Sequence, residues 1–196
     1  MKRKTRKENT RKKVFKAALE LFADQGFEKT IIEDITKRAN VAKGTFYNFF
    51  SKKEDVLVYY LESKIAQSHE EFRINNRKNF LEQYKDLISN YLKYIFKNKN
   101  FTKILLKERV MDQGSKSNPY ELKVKQRIAQ LVDLAKQRKE MSTEIDTSRI
   151  VEVVTGINTL YIIYWANGSL KNKDECIARI YEAVKNYLQG IGVKNS

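Results

Sequence analysis

Lys43, Thr45 and Tyr47 place a cation, a hydroxyl and a phenol within five residues, and Asn48, Lys52 and Lys53 follow closely. Such groups donate hydrogen bonds to phosphate oxygens and to base edges. The stretch that carries them, GFEKTIIEDITKRANVAKGTFYNFFSKKEDVL over residues 26–57, reads as two short helices joined by a tight turn, with basic residues on both sides. A second helix that enters the major groove while its surroundings grip phosphates is the layout of a helix-turn-helix. DNA is therefore the first candidate partner.

The elements that must hold these groups follow from the apolar spacing. A first helix is predicted from about Arg11, with Val14, Ala17, Ala18, Leu21 and Phe22 on one face and Gly26 as its stop. Residues 1–10 are expected to be a disordered basic arm. Thr30 and Glu33 fit a capping box that opens the second helix, with Ile32, Ile35 and Ala39 inward. Asn40 suits a left-handed turn and Val41 the corner of the unit. The third helix is expected over about Ala42 to Asn48, with Phe46 and Phe50 inward. Ser51 and Glu54 then open a long helix through Val56, Leu57, Tyr60, Leu61, Ile65 and Phe72. Further helices are expected at about 80–96, 101–111, 119–138, 147–167 and 173–189, with a polar linker, QGSKSNP, before the third of these. Pro119 suits a first turn. One proline, seven glycines and few strand-type runs make this an all-α chain.

Charge points the same way. The net charge is +15, and residues 1–55 alone carry 15 basic against 8 acidic side chains. A basic segment gains affinity for a polyanion by releasing counterions. Solubility alone accounts for the excess over residues 56–196, but less well for the N-terminal concentration. A lone cysteine, Cys176, fits a reducing compartment, and one histidine, His69, without a cysteine cluster gives no zinc set. No cofactor is expected. The N-terminus lacks the apolar segment of a signal peptide. The most apolar stretch, Ile150 to Ala166, falls short of the roughly 18–20 apolar residues of a membrane span. A soluble, cytoplasmic protein is expected. Neither a paired-carboxylate, a nucleophile nor a phosphate-loop constellation emerges, so no enzyme is expected.

The first fifty or so residues resemble the DNA-binding domain of the tetracycline-repressor (TetR/AcrR) family. The resemblance rests on Ala18, Leu21, Phe22, Gly26, Thr30, Ile35, Val41, Gly44, Thr45, Phe46, Tyr47, Phe50, Lys53, Glu54 and Leu57. It implies a DNA-binding domain over residues 1–50, and over 51–196 a linking helix plus a helical ligand-binding and dimerisation domain. Lys43 and Thr45 sit where side chains reach base edges, Gly44 lets the backbone come close to DNA, and Tyr47 lies one turn further on for a phosphate. Lys53 resembles the family's backbone-contacting lysine, which would explain a cation in the first turn of a helix. Thr30 is open between cap and phosphate contact. The DNA-facing set is thus Thr30, Lys43, Gly44, Thr45, Tyr47, Asn48, Phe49, Lys52 and Lys53. Ile31, Ala42 and Phe49 depart from the family pattern, at a frequent second hydroxyl, a frequent serine cap and a frequent tyrosine or histidine. The arm at Lys2, Arg3, Lys4, Arg6 and Lys7 either enters a minor groove or adds non-specific affinity.

The last two helices suggest a second copy of the chain as partner. Ile150, Val153, Val154, Ile157 and Tyr161 on the first, and Ile177, Ile180, Tyr181, Val184, Tyr187 and Leu188 on the second, suit a four-helix interface. The alternative is burial inside one protomer. A two-fold dimer calls for an inverted-repeat operator, and the family resemblance implies a small-molecule ligand that releases it, making the chain a repressor. Phe96, Phe101, Arg109, Tyr120, Tyr161, Tyr164 and Trp165 are the candidate pocket residues, each with plain core as its alternative. The competing function is a non-specific nucleic-acid-binding or architectural protein that uses the same basic surface.

Overall fold

A computed structural model of the chain describes residues 2–97, 99–111 and 119–191; the side chains of residues 2–5, 61, 62, 65, 66, 69, 70, 108–111 and 119–121 lie outside that description. Every regular element among the described residues is an α-helix. Contacts group the chain into two compact units, Met1–Tyr60 and Leu61–Ser196.

The first unit begins with α1 (Lys2–Asp24). The arm expected over residues 1–10 is therefore helical from Lys2. No residue between Lys2 and Gly26 breaks a helix, and Lys, Arg and Glu are good helix formers. The helix nucleated on the buried face of Val14, Ala17, Ala18, Leu21 and Phe22 thus propagates back to the start. The helices α2 (Ile32–Ala39) and α3 (Lys43–Tyr47) follow, then α4 (Lys53–Glu71), which opens within this unit. Asn40 turns the corner at φ 51° and ψ 55°; its N–H reaches the Lys37 carbonyl at 3.1 Å and the Val41 N–H reaches Thr36 at 3.0 Å. This left-handed stop satisfies carbonyls that α2 would otherwise leave open. Val14, Ala18, Ile35, Phe46, Val56 and Leu57 are fully buried and form the core.

The caps differ from the sequence expectation. Ile31, not Thr30, stands at the N-cap of α2, and no side chain caps it. At α4 the carboxylate of Asp55, rather than that of Glu54, accepts the N–H groups of Ser51 at 2.7 Å and Lys52 at 3.2 Å. The Ser51–Glu54 box is replaced by a bond one residue further along.

The second unit contains α5 (Phe80–Ile95), α6 (Lys99–Met111), α7 (Pro119–Gln137), α8 (Thr147–Asn167) and α9 (Lys173–Gly190). Asn79 and Glu82 form a reciprocal capping box at α5. The Glu140 carboxylate adds a bond from the Phe80 N–H at 2.8 Å, brought there by Lys139 in the left-handed region at φ 62°. A lysine there costs about 1 kcal/mol, so the clasp of α7 on α5 must offset it. Gly168, at φ 87°, ends α8 at no such cost. The core centres on Ile88, Leu92, Ile128, Val132, Val154, Ile180 and Val184. Each such side chain contributes about 1.5–3 kcal/mol by leaving water. Within that core the Tyr84 hydroxyl donates to Asn158 Oδ1, and burial pushes the phenol's ionisation well above its usual range. The expected linker falls largely outside the described residues, as do the side chains of Leu61 and Ile65.

Candidate nucleic-acid interface

The expected DNA-facing residues lie on α3 and the turn after it. The helix is five residues long, so Lys43 and Tyr47 share one side, a turn apart. Lys43, Gly44, Tyr47, Asn48 and Lys52 are exposed, while Thr45 and Phe49 are half-buried. Beneath them Phe46 is fully buried and packs edge-on against Tyr47, ring centroids 5.6 Å apart. Phe46 also lies 5.8 Å from Phe50, so a phenylalanine pair anchors this short helix from below. Tyr47 remains 49% exposed with its phenol available to an acceptor. Ala42 occupies the N-cap without a side-chain bond, as the departure from serine anticipates. Neither α2 nor α3 thus receives a side-chain cap at its N-terminus.

Gly44 is exposed, and a methyl group built on it meets no atom within 4 Å. Its backbone does not need glycine either, because its φ lies outside the left-handed region. Since glycine costs a helix about 1 kcal/mol relative to alanine, the fold gains nothing from it. The gain is to be sought in what approaches from outside.

One expected contact is corrected, and a second has partners inside the unit. Thr30 has 0% exposure, and its hydroxyl donates to the Gly26 carbonyl at 2.7 Å. It neither caps α2 nor has surface for a phosphate. Lys53 spends its ammonium inside the unit, donating to the carbonyls of Phe27 at 2.9 Å, Glu28 at 3.2 Å and Thr30 at 3.2 Å. The ammonium also lies 4.6 Å from the Phe27 ring centroid. Three converging carbonyls at the end of the α1–α2 turn explain a cation in the first turn of α4, where the helix dipole disfavours it. These bonds let Lys53 position the turn before α2.

Two further residues matter, which the sequence marked only as a cap partner, Glu33, and a helix start, Arg11. Glu33 on α2 accepts a close hydrogen bond from Lys43 on α3; the bond holds the Glu33 carboxyl below the usual carboxylate range and raises Lys43. Both side chains stay more than half exposed. Arg11 lays its guanidinium 4.1 Å from the Tyr59 ring centroid and 5.4 Å from that of Phe50. Its buried Nε has no hydrogen-bond partner, so aromatic faces supply the compensation. Ten residues separate Glu33 from Lys43, and the turn alone brings them together.

The proposed dimer residues sort into two groups. Ile150, Val154, Ile180, Val184 and Leu188 are buried in the protomer's own core, which corrects their assignment to a partner. Val153, Leu160 and Tyr164 are 40%, 43% and 41% exposed, and the half-buried Ile157 completes a stripe at steps of four, three and four along α8. Gly156 lies on the same face, and its added methyl also meets open space. Tyr161, Ile177, Tyr181 and Tyr187 are half-buried.

The candidate pocket residues are described in part. Phe96 packs edge-on against the buried Trp165 at 4.6 Å, with the Lys99 ammonium 5.3 Å from the Trp165 ring. Phe101 is half-buried on α6, and Tyr161 leans on the core and meets Tyr164 at 5.9 Å. Tyr164 belongs to the exposed stripe, a turn of 100° away from Trp165. The side chains of Arg109 and Tyr120 lie outside the described residues. Among the described residues no group of three His, Cys, Asp or Glu could hold a metal ion, and no helix is long and apolar enough to cross a membrane.

Comparison with known proteins bears on both units. Residues 14–60 match the family model of bacterial regulatory proteins, tetR family. The fatty acid metabolism regulator protein of Bacillus subtilis (strain 168) is 37% identical over 54 residues, 28% of each chain. The HTH-type transcriptional regulator YuxN of the same organism is 25% identical over 160 residues, 77% of this chain and 53% of its own length. The chain thus spans about three tenths to one half of the curated relatives it matches. Among solved structures, Thermus thermophilus FadR, a TetR-family transcriptional repressor in complex with lauroyl-CoA, superposes with a TM-score of 0.77 at 21% identity, over 95% of this chain and 97% of that one. Bacillus subtilis FadR in complex with stearoyl-CoA gives 0.60 at 19% identity, over 91% and 98%. These likenesses extend the shared fold over both units.

Proposed function

We propose, from the match of residues 14–60 to the family model of bacterial regulatory proteins, tetR family, that this chain is a sequence-specific repressor that binds an inverted-repeat operator as a homodimer and leaves it on binding a small molecule. The observation that carries the reading is α3. It exposes Lys43, Gly44 and Tyr47 together above a phenylalanine base, with a glycine that the fold itself does not require. Lys43 and Thr45 read base edges, Tyr47 and Lys52 hold phosphates, and Gly44 sets the distance of approach.

The α8 stripe supports the homodimer. An apolar row of Val153, Ile157, Leu160 and Tyr164 at coiled-coil steps is the face a second copy covers in a four-helix interface. Two-fold symmetry then sets the half-sites about 34–36 Å apart, or a multiple of that. For the ligand, the acyl-CoA complexes of both FadR proteins favour an acyl-CoA thioester, bound in the unit of residues 61–196. A ligand of that size releases DNA only by binding the two states differently.

The test is a titration at fixed salt against an operator recovered by selection of bound genomic fragments and against a scrambled duplex of equal length. The operator is expected to bind at least about a thousandfold more tightly. Added lauroyl-CoA is expected to lower operator affinity. Equal affinities for the two duplexes would establish the architectural reading instead.

A further inference from the structure

The ion pair between Glu33 and Lys43 joins the two helices of the DNA-binding motif on their exposed side, and resting on the repressor reading above, we propose that Glu33 is a specificity-determining residue acting through Lys43. A carboxylate is an unexpected neighbour for a surface meant to meet phosphates. As an exposed pair, Glu33–Lys43 adds little to folding. Its consequence lies elsewhere, in the charge that the surface presents and in where the Lys43 side chain is held.

Non-specific binding is driven almost entirely by cations that replace counterions on phosphates. With Glu33 beside it, Lys43 presents a nearly neutral pair rather than a free cation. Sliding contact with arbitrary sequence therefore loses one charge per head. Operator binding loses the same charge but recovers part of it. The carboxylate holds a long, flexible side chain in one place, so less rotamer entropy is lost when Lys43 meets its base edge. Glu33 thus penalises wrong sequences more than the right one, which is how a repulsive element produces specificity.

The experiment compares the full chain with Glu33→Gln, Lys43→Gln and the double variant, on the selected operator and its scrambled duplex across a salt series. Glu33→Gln is expected to tighten scrambled-duplex binding about tenfold for a two-headed complex, with a salt slope steeper by about 0.9 per head. Its operator affinity is expected to change less, so the ratio falls. In the Lys43→Gln background the same substitution is expected to leave the ratio unchanged, whereas Glu33→Asp, with Lys43 present, is expected to keep most of the parent's ratio. Thermal unfolding of Glu33→Gln is expected to match the parent, since Glu33 is exposed. Wild-type discrimination that persists unaltered in Glu33→Gln overturns this proposal while leaving the repressor reading intact. A ratio that falls equally in the Lys43→Gln background also overturns it. A wild type without operator preference would end the repressor reading, and this proposal with it.

Discussion

The helices α3 and α8 each turn one face away from their own unit, and the two faces are built in opposite ways. On α3 the outward residues are polar or absent, with Lys43, Gly44 and Tyr47 above a buried Phe46. On α8 they are apolar, with Val153, Leu160 and Tyr164 exposed above Ile150, Val154 and Trp165. A polar outer face suits a solvated polyanion that is bound and released. An apolar one suits a partner whose contact excludes water. Each face also holds a glycine that neither backbone angle nor space inside the protomer demands. The difference teaches that the partner's chemistry is legible from the side chains flanking such a glycine, not from the glycine itself.

The comparison can be broken most sharply on α8. Leu160→Lys removes about 1.5–3 kcal/mol of apolar burial from each copy of the proposed interface, a loss near a hundredfold or more in dimer affinity. Sedimentation is expected to show a monomer whose thermal unfolding stays cooperative. A dimer of unchanged affinity would mean that the stripe is merely a solvated face.

The next effect belongs to the head. Lys53→Met removes three charge-assisted bonds to the α1–α2 turn and is expected to cost about 2 kcal/mol in urea unfolding. If stability held and DNA affinity fell instead, Lys53 would be a phosphate contact after all.

The smallest effects are the most direct comparison of the two faces. Gly44→Ala and Gly156→Ala should each leave stability unchanged or raise it by up to about 1 kcal/mol, because helix propensity improves and the methyl meets open space. Gly44→Ala is then expected to weaken DNA binding while sparing self-association, and Gly156→Ala to do the reverse. A crossed result would reassign the faces.

Much of the head was legible because its signals are local. Gly26 and Asn40 stop helices through their own backbone preferences, and both take the left-handed region. Phe46 and Phe50 fall inward by helical spacing alone. The sequence was least decisive where a polar group had two possible partners. Thr30 and Lys53 carry donors that suit a phosphate as well as a carbonyl, and only the folded turn shows that carbonyls took them. In α8 the spacing revealed apolar residues on more than one face but not which face was whose. Ile150 and Val154 read like Val153 and Ile157 until neighbouring helices cover one set.

By itself, then, the sequence determined the helical character of the described residues and the short helix-turn-helix, because period, turn residues and charge act over a few positions. Tertiary structure alone decided that Lys53 pins a turn, that Glu33 holds Lys43, and that Val153, Ile157, Leu160 and Tyr164 are the outward row of α8. Those outcomes depend on which groups distant in the chain arrive within a few ångströms of one another. Residue type sets what a side chain offers; packing sets which offer is taken.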